Sequence, residues 1–245
     1  MIESIRLAGW TLPEAMTKRL GERVGRQRAM TADGHLLIIL HALPAENDFE
    51  RQPRLFWRSP TGEWRSLTSS IDGFQSLRRH IDEFAKAIEA LEQGVETSTD
   101  ADAFYKVLLK VAPIHRTARN MHATLQQARE LVEDRDIITL RDRAGEIERA
   151  AELLHADAKV GLEYSVAKQE EAQTRASHEI AEAGHRLNLL AAVFLPLTAL
   201  GAALGMNLRS GLENAMSPWL FWVVLATGLA VGFYLRSLFV RGRRK

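Results

Sequence analysis

Residues 194–207 read Phe-Leu-Pro-Leu-Thr-Ala-Leu-Gly-Ala-Ala-Leu-Gly-Met-Asn. They close an apolar stretch, 187–208, that carries no charged residue. As a helix its roughly 22 residues reach about 33 Å, enough for the hydrocarbon core of a bilayer. A second apolar stretch, 219–240, has Arg236 near its end. The link between them, 209–217, is too short to cross anything, so the two form a tight hairpin. Asn207 then stands at the mouth of a membrane helix. Its carbonyl dipole suits a hydrated cation that must be held without being trapped. Asn is also a favoured residue at helix C-termini, which accounts for it without any ion. Gly201 and Gly205, like Gly228 and Gly232, have the spacing that lets membrane helices approach closely.

The basic residues set the orientation. His185 and Arg186 precede the first stretch, and Arg241, Arg243, Arg244 and Lys245 follow the second. The link carries Arg209 offset by Glu213. Positive ends stay inside, so both termini are expected in the cytoplasm and the link outside. The basic tail also suits anionic lipid. The N-terminus has no basic segment followed by an apolar run, and is not read as a secretory signal. The chain has 245 residues, a formal net charge of +1 and no cysteine. Disulfides, thiolate zinc sites and thiol catalysis are thereby excluded, and the charge offers no nucleic-acid signal. There is no Gly-rich phosphate loop with Lys and no catalytic constellation, so neither an enzyme nor nucleotide-driven transport is expected.

The rest of the chain reads as a small strand-rich region followed by helices. Positions 35–41 form a nearly continuous apolar run, a buried strand. Positions 55–58 and 63–67 flank Ser59-Pro60-Thr61-Gly62, a hairpin turn. A further strand is expected over 5–10. Helices are expected over 73–93 and 101–133, with a turn at 96–100, and Pro113 should kink or split the second. From about 136 the residues Ile137, Leu140, Ala144, Ile147, Ala151, Leu154 and Ala158 alternate spacings of three and four. The stripe passes through Gly161 and Ser165, and resumes at Ala172, Ala176, Ile180, Ala183 and Leu187. This is a coiled-coil period. No stop separates it from the apolar stretch, so a single helix over about 136–207 is expected, on the order of 105 Å long.

Phe194-x-Pro-Leu-Thr198 with Gly205-Met206-Asn207, a short loop and a second span ending in basic residues together resemble the CorA family of divalent-cation channels. The fold class expected is α+β: a small N-terminal mixed α/β domain, a long stalk helix and two C-terminal transmembrane helices, assembled as a homopentameric funnel. The divisions are a strand-rich region 1–72, a helical region 73–135, the stalk 136–186, the first span 187–208, the external loop 209–217, the second span 218–240 and the tail 241–245. The resemblance implies a selectivity filter of Gly205, Met206 and Asn207, with Asn207 recognising Mg²⁺ through its hydration water. Ala202, Thr198, Leu195, Ala191, Leu187 and Gly184 would line the pore below it. Thr198 equally suits a bond back to the carbonyl four residues earlier. It also implies an inner-membrane location, a basic ring at the tail and closure by regulatory Mg²⁺, for which Glu170 and Glu171 are the acids. A solvated stalk face accounts for those acids as well. The external loop departs from the family in lacking Met-Pro-Glu-Leu, although Glu213 would still concentrate cations.

His178, Glu182 and His185 lie at i, i+4 and i+7. Imidazole with carboxylate suits zinc or nickel better than magnesium, while an ordinary polar juxtamembrane face explains the same residues. The transported ion is therefore Mg²⁺ or Zn²⁺, with Co²⁺ and Ni²⁺ in the same class. A zinc transporter of the same fold and a non-conducting membrane-anchored coiled-coil scaffold are the alternatives. No cofactor beyond the cation is expected, and the partners are further copies of the chain and lipid.

Overall fold

The computed structural model describes residues 9–21, 25–45, 51–67, 72–205 and 218–241. It divides into two units, Met1–Ala167 and Lys168–Lys245. The elements are α1 (Glu14–Thr17), β1 (Arg28–Ala32), β2 (His35–His41), β3 (Pro53–Arg58), β4 (Trp64–Ser66), α2 (Gly73–Thr97), α3 (Ala101–Leu131), α4 (Arg135–Gly205) and α5 (Pro218–Arg241). The strand expected over 5–10 falls largely outside the described residues.

The sheet is an antiparallel meander in the order β1-β2-β3-β4. Leu36, Ile38 and Leu40 of β2 join the core formed with α2, α3 and α4. Leu37 and Ile39 point the other way, into a second cluster with Trp10, Met16, Leu55 and Trp57. Both faces of β2 are covered, which is why its sequence is an unbroken apolar run rather than an alternating one. The β1–β2 turn is Asp33-Gly34, both at positive φ (49° and 76°), the backbone a two-residue hairpin needs. That dipeptide was the available signal for β1, a strand the apolar pattern does not reveal.

α2 starts at a close approach. A Cβ on Gly73 would lie 2.3 Å from the Arg65 backbone nitrogen, so only glycine fits there. Asp72 caps the helix by accepting from Phe74 N at 3.1 Å. α3 continues as one helix through Pro113, so the expected split does not occur. The proline deprives the Leu109 carbonyl of its helical donor. Leu109 itself lies on the exposed side of the helix.

α4 is a single helix of 71 residues. Ile137, Leu140, Ala144, Ile147, Ala151, Leu154 and Ala158 are all buried, and all but Ala158 belong to the same cluster as residues of α2 and α3. This part of the stripe is thus a core face of its own chain and not a seam between chains. From Val166 to Gly184 the stalk is exposed, and Ile180 is 74% accessible.

Candidate functional site

In the second unit α4 and α5 pack through small residues. A Cβ on Gly232 would lie 3.0 Å from Val193 Cα, and one on Gly228 would lie 3.0 Å from Leu197 Cδ1. This glycine pair therefore joins two helices of one chain. Nothing lies within 4 Å of a Cβ built on Gly201.

The packing divides α4 into two sides. At 100° per residue, Val193, Leu197 and Leu200 lie roughly 140–160° around the helix from Leu195. Gly184, Leu187, Ala191, Leu195, Thr198 and Ala202 all fall within about 80° of Leu195 on the other side. Gly184, Leu187, Leu195, Thr198 and Ala202 are exposed, and Ala191 is half-buried. α5 thus covers one side of α4 and leaves the side bearing these six residues open. Thr198 Oγ1 donates back to the Phe194 and Leu195 carbonyls at 3.0 and 2.9 Å. Its oxygen keeps its lone pairs on the open side.

Glu170 lies within about 20° of Leu195 by the same count. With Gln173, Thr174, Ser177, His178 and Ala181 it lines a shallow polar groove. Glu171 points elsewhere and pairs with Arg175 on its own helix. Glu182 lies 4.0 Å from Arg186. Both pairs have the i, i+4 acid-to-base spacing that the sequence already displays, although the metal readings of those acids passed over it. Neither His178 nor His185 has a hydrogen bond or ion pair among the described residues. The described residues hold no group of three or more His, Asp or Glu side chains able to take a metal. One copy of His178, Glu182 and His185 therefore does not converge on an ion.

Met206, Asn207, Glu213, Arg243, Arg244 and Lys245 lie outside the described residues, and for Gly205 and Arg241 only the helical backbone is described. Among the described residues α4 is the helix with a window long and apolar enough to cross a membrane, and the apolar part of α5, Trp222–Tyr234, is shorter.

The sequence model of CorA-like Mg²⁺ transporter proteins matches residues 70–240, including both apolar helices. The chain belongs to the CorA family. Two solved structures share the fold. The structure of the full-length CmaX protein matches at 15% identity and a TM-score of 0.55, over 95% of this chain and 84% of that one. The ZntB cytoplasmic domain from Vibrio parahaemolyticus RIMD 2210633 matches at 13% identity and a TM-score of 0.53, over 69% of this chain and 84% of that one. No curated protein sequence matches. Membership of the CorA family gives the open side of α4 its interest: it carries the residues whose spacing the resemblance had singled out.

Proposed function

We propose that this CorA-family protein is a pentameric channel conducting divalent cations, Mg²⁺ foremost, passively into the cytoplasm of a cell with an inner membrane. The observation that carries the reading is the division of α4. Its α5-covered side is apolar and closely packed, while its opposite side presents Thr198 among small and aliphatic residues and has no partner among the described residues. Two spans cannot enclose an aqueous path, so that side needs further copies. Five would place Asn207 in a ring at the outer mouth and Thr198 in a second polar ring, with Leu195 and Leu187 as apolar constrictions that gate by dewetting. Mg²⁺ gives up its water reluctantly, so carbonyl acceptors facing the hydration shell select it without stripping it. Both termini lie inside, set by the basic residues that flank the spans. The membrane potential supplies the drive, about 2.3 kcal/mol per elementary charge at 100 mV. No enzymatic step is involved.

Zinc is the second reading. It is favoured by His178 and His185, two exposed or half-buried imidazoles one above the other, roughly 80–100° around the helix from Leu195. There they would face a neighbouring helix and not the lumen.

Flux into liposomes, read with a metal-sensitive dye for Mg²⁺, Zn²⁺, Co²⁺ and Ni²⁺, tests the proposal. Wild type should conduct Mg²⁺, and Asn207→Ala should lose most of the flux or the discrimination between ions. Absence of flux for every ion would remove the channel and leave the scaffold. Zn²⁺ flux abolished by His178→Ala with His185→Ala would transfer the assignment to zinc.

A further inference from the structure

α3 and α4 run antiparallel, and metal-ligating side chains face one another across them at two levels. At the first, His122 Nδ1 meets Glu148 Oε2 at 2.5 Å, and His122 Nε2 lies 3.2 Å from a Cβ built on Gly145. That imidazole is committed to its carboxylate and to packing. Two turns away, His115 of α3 faces His155 of α4. Their ring centres are 5.9 Å apart, with the planes inclined at 38°. Here neither ring has a hydrogen bond or an ion pair among the described residues.

Two imidazoles on one tetrahedral ion, each nitrogen about 2.0–2.1 Å from it, have their ring centres about 5 Å apart. Small side-chain rotations close the difference. The backbone beneath the pair is fixed, because Ile114 and Ala118 on one helix and Leu154 and Ala158 on the other are buried beside it. Both rings are only half-buried, so an ion can enter from solvent. A further donor stands close by on α4. Glu152 precedes His155 by three residues, about 60° around the helix and one turn along it. Helical bundles hold metals with Glu-x-x-His pairs at this spacing. Glu152 is exposed and has no ion pair among the described residues. As its side chain stands it does not complete a set of three ligands, and a change of rotamer brings it over the pair.

The surrounding charge selects the ion. Arg119 follows His115 by one turn and Lys159 follows His155 by one turn. Glu152 is outweighed by these cations, so the pair lacks the anionic oxygen set that a hard ion such as Mg²⁺ needs. Imidazole nitrogen favours borderline transition ions instead.

We propose that His115 and His155, with Glu152 as third ligand, bind a divalent transition metal, Zn²⁺ foremost, with water in the fourth position. The ion fastens α3 to the core-packed part of α4. The site belongs to the first unit, whereas His178, Glu182 and His185 belong to the second. It does not rest on the transport reading.

Full-length protein in detergent, stripped of metal by chelation, tests it in a His178→Ala/His185→Ala background. Zn²⁺ should raise the melting temperature saturably, and His115→Ala or His155→Ala should each abolish the rise. Both rings are half-buried and without hydrogen bonds, so the metal-free variants should melt close to the background. His115→Gln and His155→Gln, nearer in size, serve if an alanine variant unfolds. Cu²⁺ bound at the site should show two imidazole nitrogens by electron paramagnetic resonance, and one after either substitution. Glu152→Gln should weaken Zn²⁺ several-fold, and unchanged affinity would remove the carboxylate from the ligand set. No rise with Zn²⁺, or a rise that survives either histidine substitution, would overturn the site. An equal, histidine-dependent rise with Mg²⁺ would overturn the ion class.

Discussion

Asp134 joins two elements through its two carboxylate oxygens. Oδ1 accepts from Asp136 N at 2.9 Å and caps the first turn of α4. Oδ2 lies 2.9 Å from Arg58 Nε at the end of β3, with the two side chains only 14% and 19% exposed. The long helix is thereby fixed to the sheet at its start. Asp134→Ala removes the cap, worth about 1 kcal/mol, and strands a mostly buried guanidinium, worth about 1–3 kcal/mol more. Asp134→Asn keeps a capping oxygen and loses only the charge. Thermal unfolding followed by circular dichroism should rank wild type above Asn and Asn above Ala. Equal melting of wild type and Asp134→Asn would mean that the charge of the pair with Arg58 contributes nothing. A second acid acts locally: His80, buried beside Glu83 at 3.7 Å, is the chief cause holding that carboxyl below the usual carboxylate range, against desolvation.

At the scale of elements, glycine placement decides which helices meet. The Gly232 contact is with Val193 backbone, Cα at 3.0 Å and carbonyl oxygen at 3.1 Å, which cannot move aside. The Gly228 contact is with the end of the flexible Leu197 side chain. Gly232→Leu should therefore force α5 from α4, and it should appear as loss of monodisperse elution and a lower melting temperature in detergent. Gly228→Ala should be tolerated, because Leu197 can change rotamer. If Gly232→Leu is tolerated as well, the hairpin does not depend on this approach. The same elements mark what the sequence discloses. Spacings of three and four predicted α4 nearly to its ends, since any helix with one buried face shows them. They did not say what covers that face: a core stripe over 137–158 and a coiled-coil seam have nearly the same period. β1 escaped because Arg28, Ala29, Met30, Thr31 and Ala32 carry little apolar signal, and the adjoining Asp33-Gly34 turn was its mark. On the site, the order of residues along α4 was legible. The side taken by α5 was not, because it depends on which of two similar glycine pairs meets which helix.

For the whole molecule, the stalk raises the question of what it packs against. Within one chain α4 is buried on its core face as far as Ala158, while from Lys168 to Gly184 every residue is exposed. An isolated helix of that kind is marginal in water, with i, i+4 pairs such as Arg175–Glu171 adding only about 0.3–0.5 kcal/mol. Neighbouring copies would supply the missing contacts, and full-length protein in detergent should have the mass of five chains. In that assembly the two adjacent acids become unlike. Glu170 shares the azimuth of Leu195, so five copies would bring like charges toward the axis. Glu171 is turned aside and neutralised by Arg175. A divalent cation among the Glu170 carboxylates would relieve their repulsion and draw the stalks together, which is the closed state of a channel that senses internal Mg²⁺. Glu170→Gln should therefore weaken closure by Mg²⁺ on the stalk side of liposomes, shifting the inhibitory concentration upward several-fold, and should reduce the stabilisation of the pentamer by Mg²⁺ in a thermal melt. Glu171→Gln should leave both nearly unchanged. If the two substitutions act equally, the azimuth of the acids does not matter and bulk negative charge is the sensor. If neither acts, closure is set elsewhere in the cytoplasmic part.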